Sequence, residues 1–213
     1  CKSDKIANVK QAIQLAGKQP IIIDVDAFAL QNCYEVNYQP RAGEIVALLN
    51  IGAATMNINI LNGTRSVFAR DASVGGSQYT SLLQKELGLS FEQAEGVKRG
   101  MALPEGIEPR PIQPLIETVS DVLALEVRKT MDFYRATAEE KDTGIQKILL
   151  AGGGSKLPGL AEYLGKRFEI PVEVFDPFRQ IEVDNKKFDP EYMREIVPEM
   201  AVAVGLALRG VEA

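Results

Sequence analysis

The chain of 213 residues contains no histidine. That absence removes Ser-His and Cys-His nucleophile pairs and every zinc site built on imidazole. Cysteine is scarce: Cys1 and Cys33 stand alone, at a spacing that makes neither a metal nor a redox motif. Two unpaired thiols in a reducing compartment are expected. No apolar run approaches the roughly 20 residues that a membrane span needs, and no signal peptide is visible. There is no Lys/Arg block either. With 24 basic against 29 acidic residues the net charge is −5, so binding through neutralised nucleic-acid phosphates is not expected. The first residues, Cys1-Lys2-Ser3, do not begin with Met and read as the interior of a longer protein.

What is present is an ordinary globular mixture, 46% hydrophobic and 25% charged, able to bury a core in one or two domains. Residues 5–16 carry Ile6, Val9, Ile13 and Ala16 at helical spacing, with Gly17 as the stop. Ile21-Ile22-Ile23 after Pro20 predicts a buried strand, and a helix is expected from Asp26. Ile45–Gly52, the alternating Met56–Leu61 and Ser66–Arg70 predict a meander, with Asn62-Gly63 as the second turn. A helix is expected over 78–87, and Ser90-Phe91-Glu92-Gln93 has the pattern of a capping box. Residues 104–114 read as a loop. Leu115, Val119, Val122, Leu123, Val127, Met131 and Tyr134 make one long amphipathic helix, its other face bearing Glu117, Asp121, Arg128 and Arg135. A buried strand at 145–151, a helix at 158–168, a short strand at 171–175, a polar loop and a small-residue apolar helix at 201–209 complete the chain. Strands that both pair as hairpins and alternate with helices predict an α/β fold with a mixed sheet.

Two glycine corners stand out. Gly152-Gly153-Gly154 follows a strand and precedes a helix, where bare backbone N–H groups and a helix dipole suit phosphates or a nucleotide; a plain tight turn explains the same residues. The corner is not a P-loop, because no Gly-Lys-Ser/Thr follows. Leu157 breaks both the dinucleotide fingerprint and the Gly-x-Ser-x-Gly elbow. The second corner, Asn50-Ile51-Gly52-Ala53-Ala54-Thr55, joins two strands with a tip of small residues, which can press backbone N–H groups against phosphate oxygens.

Together these stretches resemble the nucleotide-binding fold shared by actin, FtsA and the heat-shock chaperones. Asn50–Thr55 resembles its second phosphate hairpin, Leu149–Pro158 its adenosine motif, and Ala201–Gly210 the helix joining its two halves. Val25–Leu30, Ser73–Thr80 and Ser90–Glu95 resemble the FtsA-like branch and, within it, the PilM family of type IV pilus assembly. The resemblance implies an actin-like (ribonuclease H-like) fold of mixed sheets flanked by helices. Residues 45–76 and 143–198 would form one half, and 18–44 with 199–213 part of the other. Residues 77–142 would be an inserted helical subdomain, and 1–17 the last helix of a small subdomain. It implies ATP and Mg as cofactors. Asn50, Gly52, Ala53 and Thr55 would meet the phosphates, with Gly75 and Gly76 on the opposite wall. Glu95 and Lys98 would reach ribose and adenine, and Gly153, Gly154, Ser155 and Lys156 would border the base.

Asn50 stands where actin relatives commonly carry Asp. An amide supplies no negative charge to the water shell of Mg, so weak or absent hydrolysis is expected. Asp26 is a candidate helper near the attacking water, or a capping residue at a helix start. The first phosphate loop is expected N-terminal to Cys1. The family further implies a cytoplasmic adaptor at the bacterial inner membrane that binds the cytoplasmic tail of PilN, with the pilus motor ATPases and platform protein as further partners. An active ATPase or phosphotransferase, and an FtsA-like filament-forming scaffold, remain the alternatives.

Overall fold

Five segments build a single mixed sheet, whose inner strands are near-continuous apolar runs buried on both faces. The computed structural model describes residues 3–107, 111–137, 144–184 and 186–209. Its strands are β1 (Ile45–Ile51), β2 (Met56–Asn62), β3 (Arg65–Ala72), β4 (Lys147–Ala151) and β5 (Val172–Val174), in spatial order β3-β2-β1-β4-β5. The first three form an antiparallel meander, while β4 and β5 join parallel to β1. Because β1 and β4 run in the same direction, Asn50 pairs with Ala151. Both glycine corners therefore emerge at the same end of the sheet, side by side.

Eight α-helices are present among the described residues: α1 (Ser3–Leu15), α2 (Asp26–Tyr38), α3 (Gly76–Leu87), α4 (Phe91–Lys98), α5 (Gln113–Thr137), α6 (Leu160–Phe168), α7 (Pro190–Ile196) and α8 (Ala201–Leu208). Side chains alternate across each strand. Ile45, Ala47, Leu49 and Ile51 of β1 meet Leu123, Val127 and Met131 of α5 and Leu164 of α6 on one face. Val46 and Leu48 meet Leu30, Cys33 and Tyr34 of α2 and Ala201 of α8 on the other. Burial pushes the Cys33 thiol up to about 12, against a hydrogen bond from Asn37 that lowers it, so it stays protonated; Cys1 lies outside the described residues. A third cluster, Leu83, Leu87, Leu89, Ala94 and Val97, fastens α4 to α3. The small residues of α8 allow a close crossing. A Cβ on Gly205 would lie 1.7 Å from the Ala29 carbonyl oxygen of α2.

The capping box is formed. Ser90 Oγ accepts from Gln93 N at 3.2 Å, and Ser90 N donates to Gln93 Oε1 at 2.9 Å. Four expectations change. Ile21-Ile22-Ile23 form no strand: they are exposed, Ile21 at 92%. β-branched residues make a strand only where a neighbouring edge accepts them, and no described strand lies beside these. The second hairpin turns on Gly63-Thr64, since Asn62 still pairs with Arg65; Gly63 takes the required positive φ of 59°. The polar loop expected after residue 175 contains α7, capped by Asp189, whose Oδ1 accepts from Glu191 N at 2.7 Å, with Pro190 at its first position. The helix expected over 158–168 is present as α6, but the glycine corner at 152 does not stand at its N-terminus. It leads into a 3₁₀ turn (Gly153–Lys156), and α6 begins only at Leu160.

Candidate functional site

The tip between β1 and β2 is held by backbone. Gly52 N donates to Thr55 O at 2.9 Å, closing the turn. At the start of α3, Gly76 N donates to Gly52 O at 2.9 Å and Ser77 N to Ala53 O at 2.8 Å. Two of the first donors of α3 are thus spent on the hairpin and not on a ligand. Gly75 makes this approach possible, because a Cβ there would lie 2.6 Å from the carbonyl oxygens of both Gly52 and Ala53.

The facing wall is α4. Glu95 and Lys98, one turn apart, turn inward toward α3. Lys98 Nζ lies 2.5 Å from Glu95 Oε1 and 3.1 Å from Thr80 Oγ1, and the Thr80 hydroxyl also donates to Glu95. Burial pushes the Glu95 carboxyl up, but hydrogen bonds from Lys98 and Thr80 and the nearby charges of Lys98 and Arg99 outweigh it. The carboxyl is held below its ordinary value. The pair is more enclosed than a solvated surface ion pair, with side-chain exposures of 16% for Lys98 and 24% for Glu95.

The third wall is the corner after β4. Gly152 has φ 81°, and its N–H donates to Pro198 O at 2.7 Å. Ser155 is buried, and its hydroxyl closes the corner by donating to Gly152 O at 2.7 Å. Gly154 is pressed against β1: a Cβ there would sit 2.3 Å from Ile51 Cγ2. Gly153 has room: a Cβ there would meet nothing closer than Glu199 Oε1 at 3.7 Å. Glu199 also receives Lys156 Nζ at 2.9 Å.

These walls line an open cleft of about 710 Å³, within the size range of small-molecule sites. Of the residues expected at a site, Gly52, Ala53, Gly76, Glu95, Lys98, Gly153, Gly154 and Lys156 line it. Gly75 and Ser155 stand behind its walls as structural supports. Thr55 lies exposed beyond the turn, and Asn50 is turned to Asn57. Asp26 is the first residue of α2, exposed and not its N-cap, which is Val25. Sequence reasoning missed Glu199, Phe91, Arg99 and Met101, which also line the cavity. Phe91 and Arg99 flank the expected Glu95/Lys98 pair on α4, a signal that could have found them. Glu199 comes from a 3₁₀ turn (Val197–Glu199) that only the fold brings over the corner.

The arrangement suits a nucleoside. Bare backbone at Gly153 admits a flat ring, Lys156 can lay its stem along it, and the Glu95 carboxylate can accept from ribose hydroxyls. It does not form a closed metal cage: among the described residues no three His, Cys, Asp or Glu side chains gather. Magnesium characteristically rides on nucleotide phosphates with few protein ligands, so any contact from this chain to it would be sparse.

The chain matches the family described as type IV pilus assembly protein PilM over residues 1–211. Among solved structures it resembles the chain of a PilM-PilN type IV pilus biogenesis complex, with 33% identity and a TM-score of 0.82, covering 98% of this chain and 58% of that one. Among curated proteins it is similar to the ethanolamine utilization protein EutJ of Escherichia coli (strain K12). The two are 29% identical over 121 residues, 57% of this chain and 38% of that protein. An MreB structure from Spiroplasma citri bound to AMPPNP superposes at a TM-score of 0.68 with 13% identity, covering 100% of this chain and 66% of that one; at that identity the likeness speaks for the fold alone. The chain thus spans less than two thirds of the length of each of these relatives. No described helix is long and apolar enough to cross a membrane.

Proposed function

The chain belongs to the PilM family of type IV pilus assembly and has its actin-like fold, and from that premise we propose that it acts as a nucleotide-controlled adaptor. ATP binds in the cavity between α4 and the glycine corner, and its presence sets the shape that holds a partner. The single observation that carries this reading is the convergence of two walls remote in sequence. The enclosed Glu95–Lys98–Thr80 cluster faces the open backbone of Gly153 and the Lys156–Glu199 pair across one cavity.

In this reading Lys98 and Glu95 orient the ribose, Lys156 covers the base, and the Gly52-Ala53 tip approaches the phosphates. Bound Mg²⁺ would neutralise phosphate charge. The family's pattern adds a first phosphate loop to such a cleft, and this reading expects that loop outside the residues of this chain. Asn50 in place of a carboxylate keeps turnover slow or absent, as a switch requires and a motor does not. The partner is the cytoplasmic tail of PilN, in keeping with the PilM-PilN complex that the chain resembles; through it the protein sits at the inner membrane, cytoplasmic side, where motor ATPases and platform protein are further partners.

The test is calorimetry with ATP and Mg²⁺ on this chain and on a form extended N-terminally through the first phosphate loop, followed by anisotropy of a labelled PilN tail peptide. The adaptor reading expects the long form to bind ATP, to hydrolyse it slowly or not at all, and to hold the peptide more tightly with ATP. Brisk turnover would move a true ATPase ahead. Failure of both forms to bind any nucleotide would leave only a scaffold.

A further inference from the structure

Asn50, Asn57 and Asp71 stand opposite one another on β1, β2 and β3: Asn50 pairs with Asn57, and Asn57 with Asp71. Directly opposed residues share a sheet face, and here their side chains connect. Asn50 Nδ2 donates to Asn57 Oδ1 at 2.9 Å, and Asn57 Nδ2 donates to Asp71 Oδ1 at 2.8 Å.

The direction of this chain follows from its end. An ionised carboxylate only accepts hydrogen bonds, whereas an amide both donates and accepts. Asp71 therefore obliges Asn57 to present its NH₂ to β3. Asn57 is left with its carbonyl oxygen toward β1, which obliges Asn50 to present its NH₂ to Asn57. The carbonyl oxygen of Asn50 must then point the other way, toward the glycine corner. It does: a Cβ on Gly152 would lie 2.6 Å from Asn50 Oδ1, and among the described residues no donor reaches that oxygen.

We infer that Asp71, acting through Asn57, is a positioning residue that decides which atom Asn50 presents at the end of β1, and that it selects an oxygen. An amide free to turn over would show an NH₂ half the time, which repels the cation side of a metal–nucleotide complex. The relay makes Asn50 behave there as an acceptor, able to receive a hydrogen bond from metal-bound water despite carrying no charge. The consequence for Mg²⁺ rests on the nucleotide reading above; the orientation of Asn50 does not.

Two measurements on the chain test the two levels separately. The first is NMR of the side-chain amides without nucleotide. The wild type is expected to show cross-relaxation from the Asn50 NH₂ to Asn57 and none to the Gly152 α-protons. Asp71→Lys, an exposed position, supplies a donor in place of the acceptor and should reverse both amides, bringing the Asn50 NH₂ against Gly152. Unchanged Asn50 contacts in a folded Asp71→Lys variant would overturn the relay.

The second is ATP binding with and without Mg²⁺ in the N-terminally extended form. Asp71→Lys should lose the Mg²⁺-dependent part of the affinity, about tenfold, and Asp71→Asn a smaller, several-fold part. The double exchange Asn50→Asp with Asp71→Asn moves the carboxylate along the relay and restores an oxygen at position 50, so it should recover the Mg²⁺ response. Equal Mg²⁺ responses in all four proteins would overturn the inference. Absence of ATP binding by the wild type would instead sink the nucleotide reading, and the NMR result would still decide the relay.

Discussion

The glycine walls of the cavity and its α4 wall are made in opposite ways. The wall at Gly52–Gly76 and Gly152–Gly154 is backbone, locked by carbonyl–amide bonds and by close approaches that admit no Cβ at Gly75 or Gly154. The α4 wall is side chain, a Thr80–Glu95–Lys98 cluster on a short helix fastened by a small apolar cluster and a capping box. A backbone wall gives fixed shape but little chemistry; a side-chain wall gives charge and hydrogen bonds that substitution can retune. Damage to the first should appear as lost stability, and damage to the second as lost binding.

The sharpest way to break that comparison is to substitute neighbouring glycines. Gly154→Ala places a Cβ 2.3 Å from Ile51 Cγ2, with Ile51 Cβ at 2.9 Å behind it. It should destabilise by about 2 kcal/mol and lower the melting temperature by roughly 4–8 °C. Gly153→Ala meets nothing closer than Glu199 at 3.7 Å and should melt within about 1–2 °C of the wild type. It should nonetheless weaken ATP binding, because the methyl stands where the ring approaches. Calorimetric melting and ATP titration of the pair check both halves.

On the α4 wall, Lys98→Met removes the cation from Glu95 and Thr80 while keeping the stem. ATP affinity is expected to fall about tenfold, the worth of one charge-assisted hydrogen bond, with a smaller change in stability. Unchanged affinity would place the ligand elsewhere. Acid should act on the same wall. The Glu95 carboxyl is lowered in the folded protein, so its contribution is complete above the ordinary unfolded value of 4.5 and is lost as pH falls through the lowered folded value. Glu95→Gln should flatten that acid limb in urea titrations across pH. The smallest effect is expected from Ser90→Ala, which removes the Oγ that accepts from Gln93 N. It should cost about 1 kcal/mol and loosen α4 without touching the glycine wall.

Much of this was legible in the sequence for identifiable reasons. The apolar run of 45–51, the alternation in 56–61, the helical stripe of 115–134 and the capping box at Ser90 are local signals, and each appears where its period or cap requires. Asp189-Pro190-Glu191 carried an equally local start signal for α7. Ile21-Ile22-Ile23 failed because strand formation depends on an edge that local sequence does not contain. The glycine corner was recognised, but its geometry was not. Three glycines announce a bare backbone without saying whether a helix or a 3₁₀ turn follows.

By itself, then, the sequence determined the types and limits of most elements, the sheet's two apolar faces and the residues able to leave backbone bare, because periodicity, caps and glycine act over a few residues. Tertiary structure decided the rest. The parallel pairing of β1 with β4 brought Gly52 beside Gly152, and packing of α4 on α3 enclosed Lys98. A turn before α8 carried Glu199 to Lys156, and cross-strand register joined Asn50 through Asn57 to Asp71. Each of these is a meeting of residues far apart in the chain, and only the closing of the sheet and the burial of its two faces supply the energy and the register that make them meet.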